Sequence, residues 1–435
     1  MSASLFEPSF FDSVYVLMQA VIALNARLLG VQNVEQVIYD TSTACIPGPL
    51  PLLGGLGCFL LTPQVLQLLT YLTIATLIIT YAAAVQLLIL MWIERKFYSR
   101  LQDRYGIMIS IWSLPLWPFR WIAAKLGKVS HLGTGFLQNV ADGVKLVQKE
   151  NITPAKADSA MFHMAPAFIA ATTVMIFAAF PWSSTMYVSN VPLSLLLLLA
   201  AFSLAPLGIL IAGWASNNKY SLIGGMRSAA MLMSYTIPMV LAIIALVIYT
   251  GTFNLVEIVE QQAQPLVVYG PIVIPAWNLF SLPQFLGFLV FAVAMIAEQE
   301  RLPFDIPEAE AELVEGWLTE YSGMRFGIVF GFKWLRGLAA SGLVAILYLG
   351  GWNGPVFYTW TFALLGHTFV VPILPEEFWF LLRLYIVFLV FVWISWTLPR
   401  VRIDQILNIG WKRLIPLALV AILGAATFTV LGVAR

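Results

Sequence analysis

The chain has 435 residues, of which 60% are hydrophobic and only 10% are charged. Soluble proteins carry roughly 25% charged residues, so this composition excludes a soluble multidomain enzyme. Together with a mean hydropathy of +0.87, it indicates a membrane protein with several spanning helices. The net charge of +1 gives no indication of a nucleic-acid partner, and the three histidines and two cysteines show no metal-ligand or haem-ligand spacing.

The first 64 residues precede the first long apolar run. They contain one shorter apolar piece, 11–29, which Asn25 and Arg27 interrupt. This pattern is typical of a helix that lies in the membrane interface rather than across the bilayer. We therefore expect an N-terminal extension over 1–64 with an interfacial helix.

Eight later stretches have the roughly 20 apolar residues that a helix needs to cross a bilayer. The fifth reaches this length only together with the apolar residues just upstream of it. The sequence predicts an all-α, multi-pass membrane domain over 65–435. Its eight predicted spans are 65–93, 161–181, 192–214, 229–249, 282–297, 326–349, 378–398 and 414–433.

The basic residues alternate between the connections of these spans. Lysine and arginine are absent from 182–191, 251–275 and 350–377 but present in all the others. Since basic loops stay on the cytoplasmic side of a membrane, one set of loops is predicted to be cytoplasmic. These loops are 94–159, 215–228, 298–325 and 399–413.

The first cytoplasmic loop is much longer than a turn requires. Its segment 111–128 mixes tryptophan, phenylalanine, arginine and lysine, which suits an amphipathic helix at the level of the lipid headgroups. A second segment, 136–151, carries apolar residues at helical spacing. The stripe consists of Phe136, Val140, Val144 and Val147. We expect amphipathic helices in both segments.

The loop 298–325 is the most unusual part of the chain, because eight of the chain's 22 acidic residues lie between positions 298 and 320. Asp305 followed by Pro307 is typical of a helix start. In such a helix Glu308, Glu312 and Glu315 would share one face, since each residue advances by roughly 100°. Like charges arranged in this way repel one another, so the stretch requires a functional explanation.

Three hypotheses account for these acids: a loop that docks a basic partner, a carboxylate metal site, or a group of proton-handling side chains. No recognised metal-ligand spacing is present. Carboxylates that lie close together near a low dielectric have raised, mutually coupled pKa values and exchange protons near neutral pH. Proton handling is the favoured hypothesis, and docking is the second.

Eight motifs, taken in chain order, match one known family. They are I-E-R-K (93–96), L-Q-D-R-Y-G (101–106), L-Q-N-V-A-D-G-V-K-L-V-Q-K-E (137–150), G-W-A-S-N-N-K-Y-S (213–221), A-E-Q-E-R-L-P-F-D-I-P-E-A-E-A-E-L (297–313), T-E-Y-S-G-M-R-F (319–326), L-G-G-W-N-G-P (349–355) and T-L-P-R-V-R-I-D-Q (397–405). With them the sequence resembles the quinone-site membrane subunit of respiratory complex I, the proton-pumping NADH:quinone oxidoreductases. The motifs within 297–326 are the most specific.

The resemblance implies a subunit that forms much of a quinone tunnel and couples quinone reduction to proton translocation. It implies no redox cofactor in this chain, quinone as the substrate, and iron–sulfur clusters in partner subunits of a peripheral arm. Residues carried over by motif as lining or supporting the quinone path are Glu94, Arg95, Arg301, Phe304, Asp305 and Arg325. Those carried over as proton-coupling acids are Glu298, Glu308, Glu310, Glu312 and Glu320.

The chain departs from the family pattern at several positions. Met231 and Thr236 stand where the family usually has a glutamine and a glutamate, and Ser395 replaces an arginine. Glu300 and Glu315 are additional acids. Residues 107–132 form a longer aromatic and basic insertion in place of G-P-N-R.

Two alternative functions remain at this point. An energy-converting hydrogenase, or a dehydrogenase fed by ferredoxin or deazaflavin, would keep the same architecture with different electron chemistry. A stand-alone cation/proton antiporter would place acids inside its spans, whereas the charged residues within the predicted spans are Lys333, Arg336 and Arg383. We expect the protein in a prokaryotic plasma membrane rather than an organellar inner membrane, in contact with lipid and with other subunits.

Overall fold

The computed structural model describes residues 85–104, 106–107, 138–184, 186–188, 190–269, 272–308, 310–354, 359–364, 367–372 and 376–431. The predictions for the extension 1–64 and for the amphipathic segment 111–128 lie outside these residues. The same is true of most of the first predicted span.

Helices dominate the described residues. In chain order they are α1 (Gln86–Leu101), α2 (Gln138–Gln148), α3 (Ser159–Ala179), α4 (Ser194–Ala215), α5 (Lys219–Thr250), α6 (Leu255–Gln262), α7 (Leu282–Glu298), α8 (Glu310–Leu313), α9 (Gly323–Tyr348), α10 (Glu376–Thr397), α11 (Ile403–Asn408) and α12 (Ile415–Val430). A π-helical turn, Ile409–Leu414, joins α11 to α12, and short 3₁₀ turns cover Asn278–Phe280 and Gly316–Leu318.

Six of the described helical segments are long and apolar enough to cross a membrane. They are α3, α4, α5, α9, α10 and the continuous segment Ile403–Val430, whereas α7 is apolar but shorter. Helix α1 contains the described end of the first predicted span. The predicted helical membrane fold is therefore confirmed, with six rather than eight helices meeting the length criterion among the described residues.

Two short antiparallel hairpins interrupt the helical architecture. Strand β1 (Pro265–Tyr269) pairs with β2 (Ile272–Pro275), and β3 (Thr359–Leu364) pairs with β4 (His367–Pro372). Both hairpins lie in connections without lysine or arginine, between α6 and α7 and between α9 and α10. The prediction of an all-α chain did not include them.

Helix α5 lies at the centre of one group of packed helices, where it contacts α4, α7 and α12. Small residues allow close approach: a Cβ on Gly213 of α4 would lie only 2.7 Å from the Ser221 carbonyl oxygen of α5. Such close backbone approach is typical of membrane helices, whose association depends on packing. Helix α9 packs against α3, α7 and α10, and carries two of the cations described below, Lys333 and Arg336.

The predicted helix within 136–151 is confirmed as α2, but its apolar stripe does not face the protein. Val140, Val144 and Val147 are exposed. The contact of α2 with α1 is polar instead: Asn139 of α2 donates a hydrogen bond to the Leu88 carbonyl oxygen of α1, 2.9 Å away. Packing of α2 on α1 is thus directed by a polar contact rather than by the valine stripe.

The acidic stretch does not form the predicted helix. Helix α8 has only four residues, and Glu308 lies in the turn before it. Val314 (φ +66°) and Gly316 (φ +57°) adopt left-handed conformations that end the helix. A Cβ on Gly316 would lie 1.7 Å from the Pro307 carbonyl oxygen, so only glycine fits there.

The prediction that Glu308, Glu312 and Glu315 share one helix face is therefore wrong. Glu308 turns inward to an ion pair with Lys333, while Glu312 and Glu315 are exposed. Separation of these carboxylates removes the repulsion that a common face would have caused.

Candidate functional site

A cavity of about 250 Å³ lies beside the middle of α1, where the chain turns after α7 and where α9 and α10 approach this turn. One part of its wall is charged and the other is aromatic. The charged side chains are Glu94, Glu300, Arg301, Asp305, Glu308 and Lys333, and the aromatic ones are Phe330, Trp334 and Trp396.

The first ion pair of the cavity joins α1 to the turn after α7. Arg301 Nη1 lies 2.8 Å from Glu94 Oε2, and the two side chains are only 11% and 9% exposed. The guanidinium group also lies over the rings of Trp334, at 4.6 Å, and Phe388, at 5.2 Å. Cation–π contacts of this kind are stronger where water is excluded, so Arg301 is held in a fixed position at the cavity wall.

The second ion pair joins the acidic stretch to α9. Lys333 Nζ lies 2.7 Å from Glu308 Oε2, and both side chains are largely buried. Glu308 Oε1 is buried and accepts no hydrogen bond from the described residues. One oxygen of this carboxylate can therefore accept a hydrogen bond from water or from a ligand.

A third ion pair lies behind the cavity. Arg336 Nη2 donates to the Glu298 carbonyl oxygen at 2.9 Å and lies 3.4 Å from Glu298 Oε1. Both side chains are almost completely buried, with 4% and 1% exposure. Removal of either side chain would leave the other as an uncompensated buried charge, which destabilises the fold.

The fourth ion pair connects the acidic stretch to the loop after α10. Arg400 Nη2 lies 3.2 Å from Asp305 Oδ2, and the Val401 amide donates to the Pro303 carbonyl oxygen at 3.2 Å. Burial, together with the nearby charge of Glu308, raises the pKa of Asp305 to about 6, although Lys333 and Arg400 oppose this rise. Asp305 therefore changes its charge close to physiological pH.

The other predicted coupling acids lie further out. Glu312, which is exposed, pairs with Arg227 at 2.6 Å, and Glu320 accepts a hydrogen bond from Asn218 at 2.6 Å. The side chain of Glu310 lies outside the described residues. The structure thus separates an inner pair, Glu298 and Glu308, from acids closer to solvent.

Three of the six predicted quinone-path residues line the cavity, and three lie elsewhere. Glu94, Arg301 and Asp305 are in its wall. The remaining three contact other parts of the chain: Arg95 pairs with Asp142 at 2.7 Å, Phe304 packs edge-on against Tyr235, and Arg325 donates to Thr153 at 2.8 Å and contacts His163 at 2.7 Å.

The sequence match identifies the family to which this site belongs. The model of the NADH dehydrogenase family matches residues 73–426, which is well over half of the chain and includes every element around the cavity. The chain belongs to the NADH dehydrogenase family. It is a membrane subunit of a complex I-type oxidoreductase, which works together with other subunits.

Several charged residues of this NADH dehydrogenase subunit were not predicted as site residues. Lys333 and Arg336 supply the cations for Glu308 and Glu298, and Arg400 supplies one for Asp305. The sequence did indicate these three residues, because charged side chains inside or next to apolar spans are usually functional. What the sequence could not supply was the partner of each cation.

The departures from the family pattern also have definite positions. Ser395 lines the cavity, and its hydroxyl donates to the Phe391 carbonyl oxygen. Met231 is buried, and Thr236 donates to the Leu232 carbonyl oxygen, so neither replaces a carboxylate. Glu300, by contrast, places an additional acid in the cavity wall.

Proposed function

We propose that this subunit binds quinone in the cavity beside α1, α9 and α10 and couples quinone reduction to outward proton translocation. One observation carries the proposal: aromatic rings and buried ion pairs line the same cavity. In this respect it corresponds to the quinone-site membrane subunit of complex I.

The aromatic wall suits a planar ring. Trp396 stacks on Tyr98 with ring centroids 3.7 Å apart, and Trp334 is held under the Arg301 guanidinium group. Aromatic pairs contribute about 0.5–1.5 kcal/mol beyond the area that they bury. A quinone headgroup between such rings would be bound through its faces, while its oxygens remain free for polar contacts.

The charged wall suits a ligand whose oxygens gain negative charge on reduction. Arg301 and Lys333 are cations in fixed ion pairs, so they can stabilise an oxyanion without first being ordered. A charge ~4 Å from Lys333 would interact with it by roughly 4 kcal/mol at an effective dielectric of about 20. This is enough to weaken the Lys333–Glu308 pair and to change the protonation of the neighbouring acids.

The coupling role follows from the connection between these acids. Burial and the charge of Glu308 raise the pKa of both Glu300 and Asp305. A change of charge at one carboxyl therefore alters proton binding at the others. Glu298, Glu308, Glu310, Glu312 and Glu320 remain the proposed coupling acids, with Glu298 and Glu308 nearest to the cavity.

The remaining parts of the proposal concern partners and location. The chain itself carries no redox cofactor, and iron–sulfur clusters in peripheral-arm subunits deliver the electrons. The exposed acids Glu312 and Glu315 lie on the predicted cytoplasmic side, where those subunits would dock. The complex belongs to a prokaryotic plasma membrane.

Two tryptophans of α10 provide a matched test of the quinone site. Trp396 lines the cavity, whereas Trp393, one turn away, does not, and both rings are partly exposed. Trp396→Ala should raise the KM for quinone about tenfold, corresponding to ~1.4 kcal/mol of lost stacking, and Trp393→Ala should leave it unchanged. Equal KM values for the two variants would contradict quinone binding in this cavity.

The electron chemistry is tested separately on the purified, assembled complex. Turnover should require both NADH and quinone. Hydrogen evolution that does not depend on quinone would overturn the proposed reaction in favour of a hydrogenase, and ion transport by this chain without partner subunits would favour an antiporter.

A further inference from the structure

Glu300 has an unusual position at the turn after α7. Its backbone adopts a left-handed conformation, with φ at +50°, which non-glycine residues rarely do. Its side chain points into the protein and is only 2% exposed. Conformations of this kind require support from their surroundings and are most frequent at functional sites.

The charges around Glu300 do not balance. Within the described residues, the charged cluster beside and behind the cavity contains five carboxyl groups and four cations. Four of the carboxyls lie within ion-pair distance of one cation each: Glu94 with Arg301, Glu298 with Arg336, Asp305 with Arg400, and Glu308 with Lys333. No cation of the described part of the chain lies within that distance of Glu300.

The contact that Glu300 makes is with a neutral group. The Ser228 hydroxyl of α5 donates a hydrogen bond to Glu300 Oε1. A hydroxyl can donate to a carboxylate oxygen or to the carbonyl oxygen of a protonated carboxyl, so this contact suits both protonation states. An unpaired buried carboxylate is costly, and such a group reduces the cost by binding a proton.

We propose that Glu300 carries a proton at neutral pH and is a proton-holding carboxyl of this cluster. The inference rests on the proposed coupling function and adds to it a residue that the family motif does not supply. The groups that interact with Glu300 are Ser228 of α5, Glu298 of α7, Glu308 of the loop, and Lys333 and Arg336 of α9. Glu94 of α1 and Arg301 and Asp305 of the loop line the same cavity.

Lys333 controls whether Glu300 keeps this proton. Burial is the largest influence on Glu300 and raises its pKa, and the strongest opposing influence is the charge of Lys333. When Lys333 turns from Glu308 to Glu300, the O–H bond of Glu300 breaks and an O–H bond forms on Glu308. The cluster keeps its net charge, and one proton moves along the cavity wall from Glu300, which contacts α5, to Glu308, which contacts α9.

Infrared spectroscopy of the assembled complex tests the protonation state directly. Glu300→Gln should remove one C=O stretching band of a protonated carboxyl at neutral pH. Glu376→Gln, at an exposed acid of α10, should remove none. Should Glu300→Gln impair assembly, Ser228→Ala provides a second test, because loss of the hydroxyl donor should shift the same band. Unchanged protonated-carboxyl bands in these variants would overturn the inference.

The exchange with Glu308 has its own test. In Glu308→Gln, Lys333 loses its partner and should pair with Glu300, so the Glu300 band should disappear although Glu300 is still present. Persistence of the band would overturn the exchange. Loss of the band in Glu300→Gln with unchanged proton translocation per electron would uphold the protonated state and contradict a role of this proton in coupling. Failure of the proposed coupling function itself would instead appear as unchanged proton translocation in Glu308→Gln, so the two failures are distinguishable.

Discussion

The two ends of the helical domain hold their loops together in different ways. At the end with the cavity, buried ion pairs connect α1, α7, α9 and the acidic stretch. At the opposite end, the amide end, neutral side-chain amides connect the loops. Gln262 donates to the Ile346 carbonyl oxygen at 2.9 Å and accepts from the Gly350 amide at 3.0 Å. Asn278 donates to the Leu347 carbonyl oxygen at 2.8 Å.

Even the arginine of the amide end is bound by neutral groups. Arg383 donates to the carbonyl oxygens of Gly351 and Asn353 and lies over the Trp277 ring, at 5.0 Å from its centroid. Amide and carbonyl groups do not titrate, so the contacts of Gln262, Asn278 and Arg383 persist over a wide pH range. The ion-paired end contains carboxyls with raised pKa values, Glu300 and Asp305, so its contacts depend on proton binding, as the proposed coupling requires.

The largest effect is expected from Lys333→Met. The change leaves Glu308 buried without its cation, and breaking a buried pair costs about 3–5 kcal/mol. We expect little assembled complex and no detectable quinone reduction. Lys333→Met combined with Glu308→Gln should restore assembly but not turnover, measured as complex yield and activity in the same membranes. If the single and double variants lose equal amounts of assembled complex, the unpaired Glu308 carboxylate is not the cause of the loss.

A smaller and different effect is expected at the amide end. Gln262→Leu leaves the Ile346 carbonyl and the Gly350 amide without their buried partner, at a cost of about 1–3 kcal/mol. Thermal stability of the complex should fall, whereas turnover per assembled complex should stay at the wild-type value. A changed pH profile of turnover in this variant would contradict the distinction between the two ends.

The sequence was sufficient for the helical membrane architecture, because apolar runs of about 20 residues leave few alternatives. It also singled out the acidic stretch, three of whose acids line the cavity. It failed at Glu308, since helical spacing could not reveal that Lys333, far along the chain, would draw this side chain inward. The family motif, which suggested Arg95 and Arg325 for the quinone path, could not reveal their contacts with Asp142 and Thr153 in the first loop either, and their part in the quinone path stays a prediction.

A pH-dependent effect of intermediate size is expected from Asp305→Asn. The pKa of Asp305 is raised to about 6, so the wild-type side chain is neutral below this pH and ionised above it. The folded state binds this proton more tightly than the unfolded chain, and the contribution of Asp305 to stability therefore falls as the pH rises towards 6.

Turnover of Asp305→Asn should accordingly match the wild type below about pH 6. Above it, where the variant lacks the charge that pairs with Arg400, turnover should be several-fold lower. Parallel pH–activity profiles of the two complexes provide the measurement. A constant ratio across the whole pH range would mean that the charge of Asp305 does not matter.

The smallest effect is expected at the solvent-exposed edge of the ion-paired end. Arg227 pairs with Glu312 at 2.6 Å, but the Glu312 side chain is 56% exposed. Exposed pairs contribute about 0–1 kcal/mol and are screened by salt. Arg227→Ala should change stability and turnover by less than about twofold, and the difference should vanish at high ionic strength. A large loss of turnover would extend the functional cluster outward to Glu312.

The central claim is that the ion-paired end couples quinone reduction to proton movement. Its most direct test is Glu308→Gln in the complete complex, reconstituted in vesicles, with quinone reduction and proton translocation recorded together. Glu376→Gln, at an acid of the amide end that accepts hydrogen bonds from Ser184, is the control. We predict that both activities fall together in Glu308→Gln and neither falls in Glu376→Gln. An assembled Glu308→Gln complex that reduces quinone and translocates protons at wild-type rates would contradict the claim.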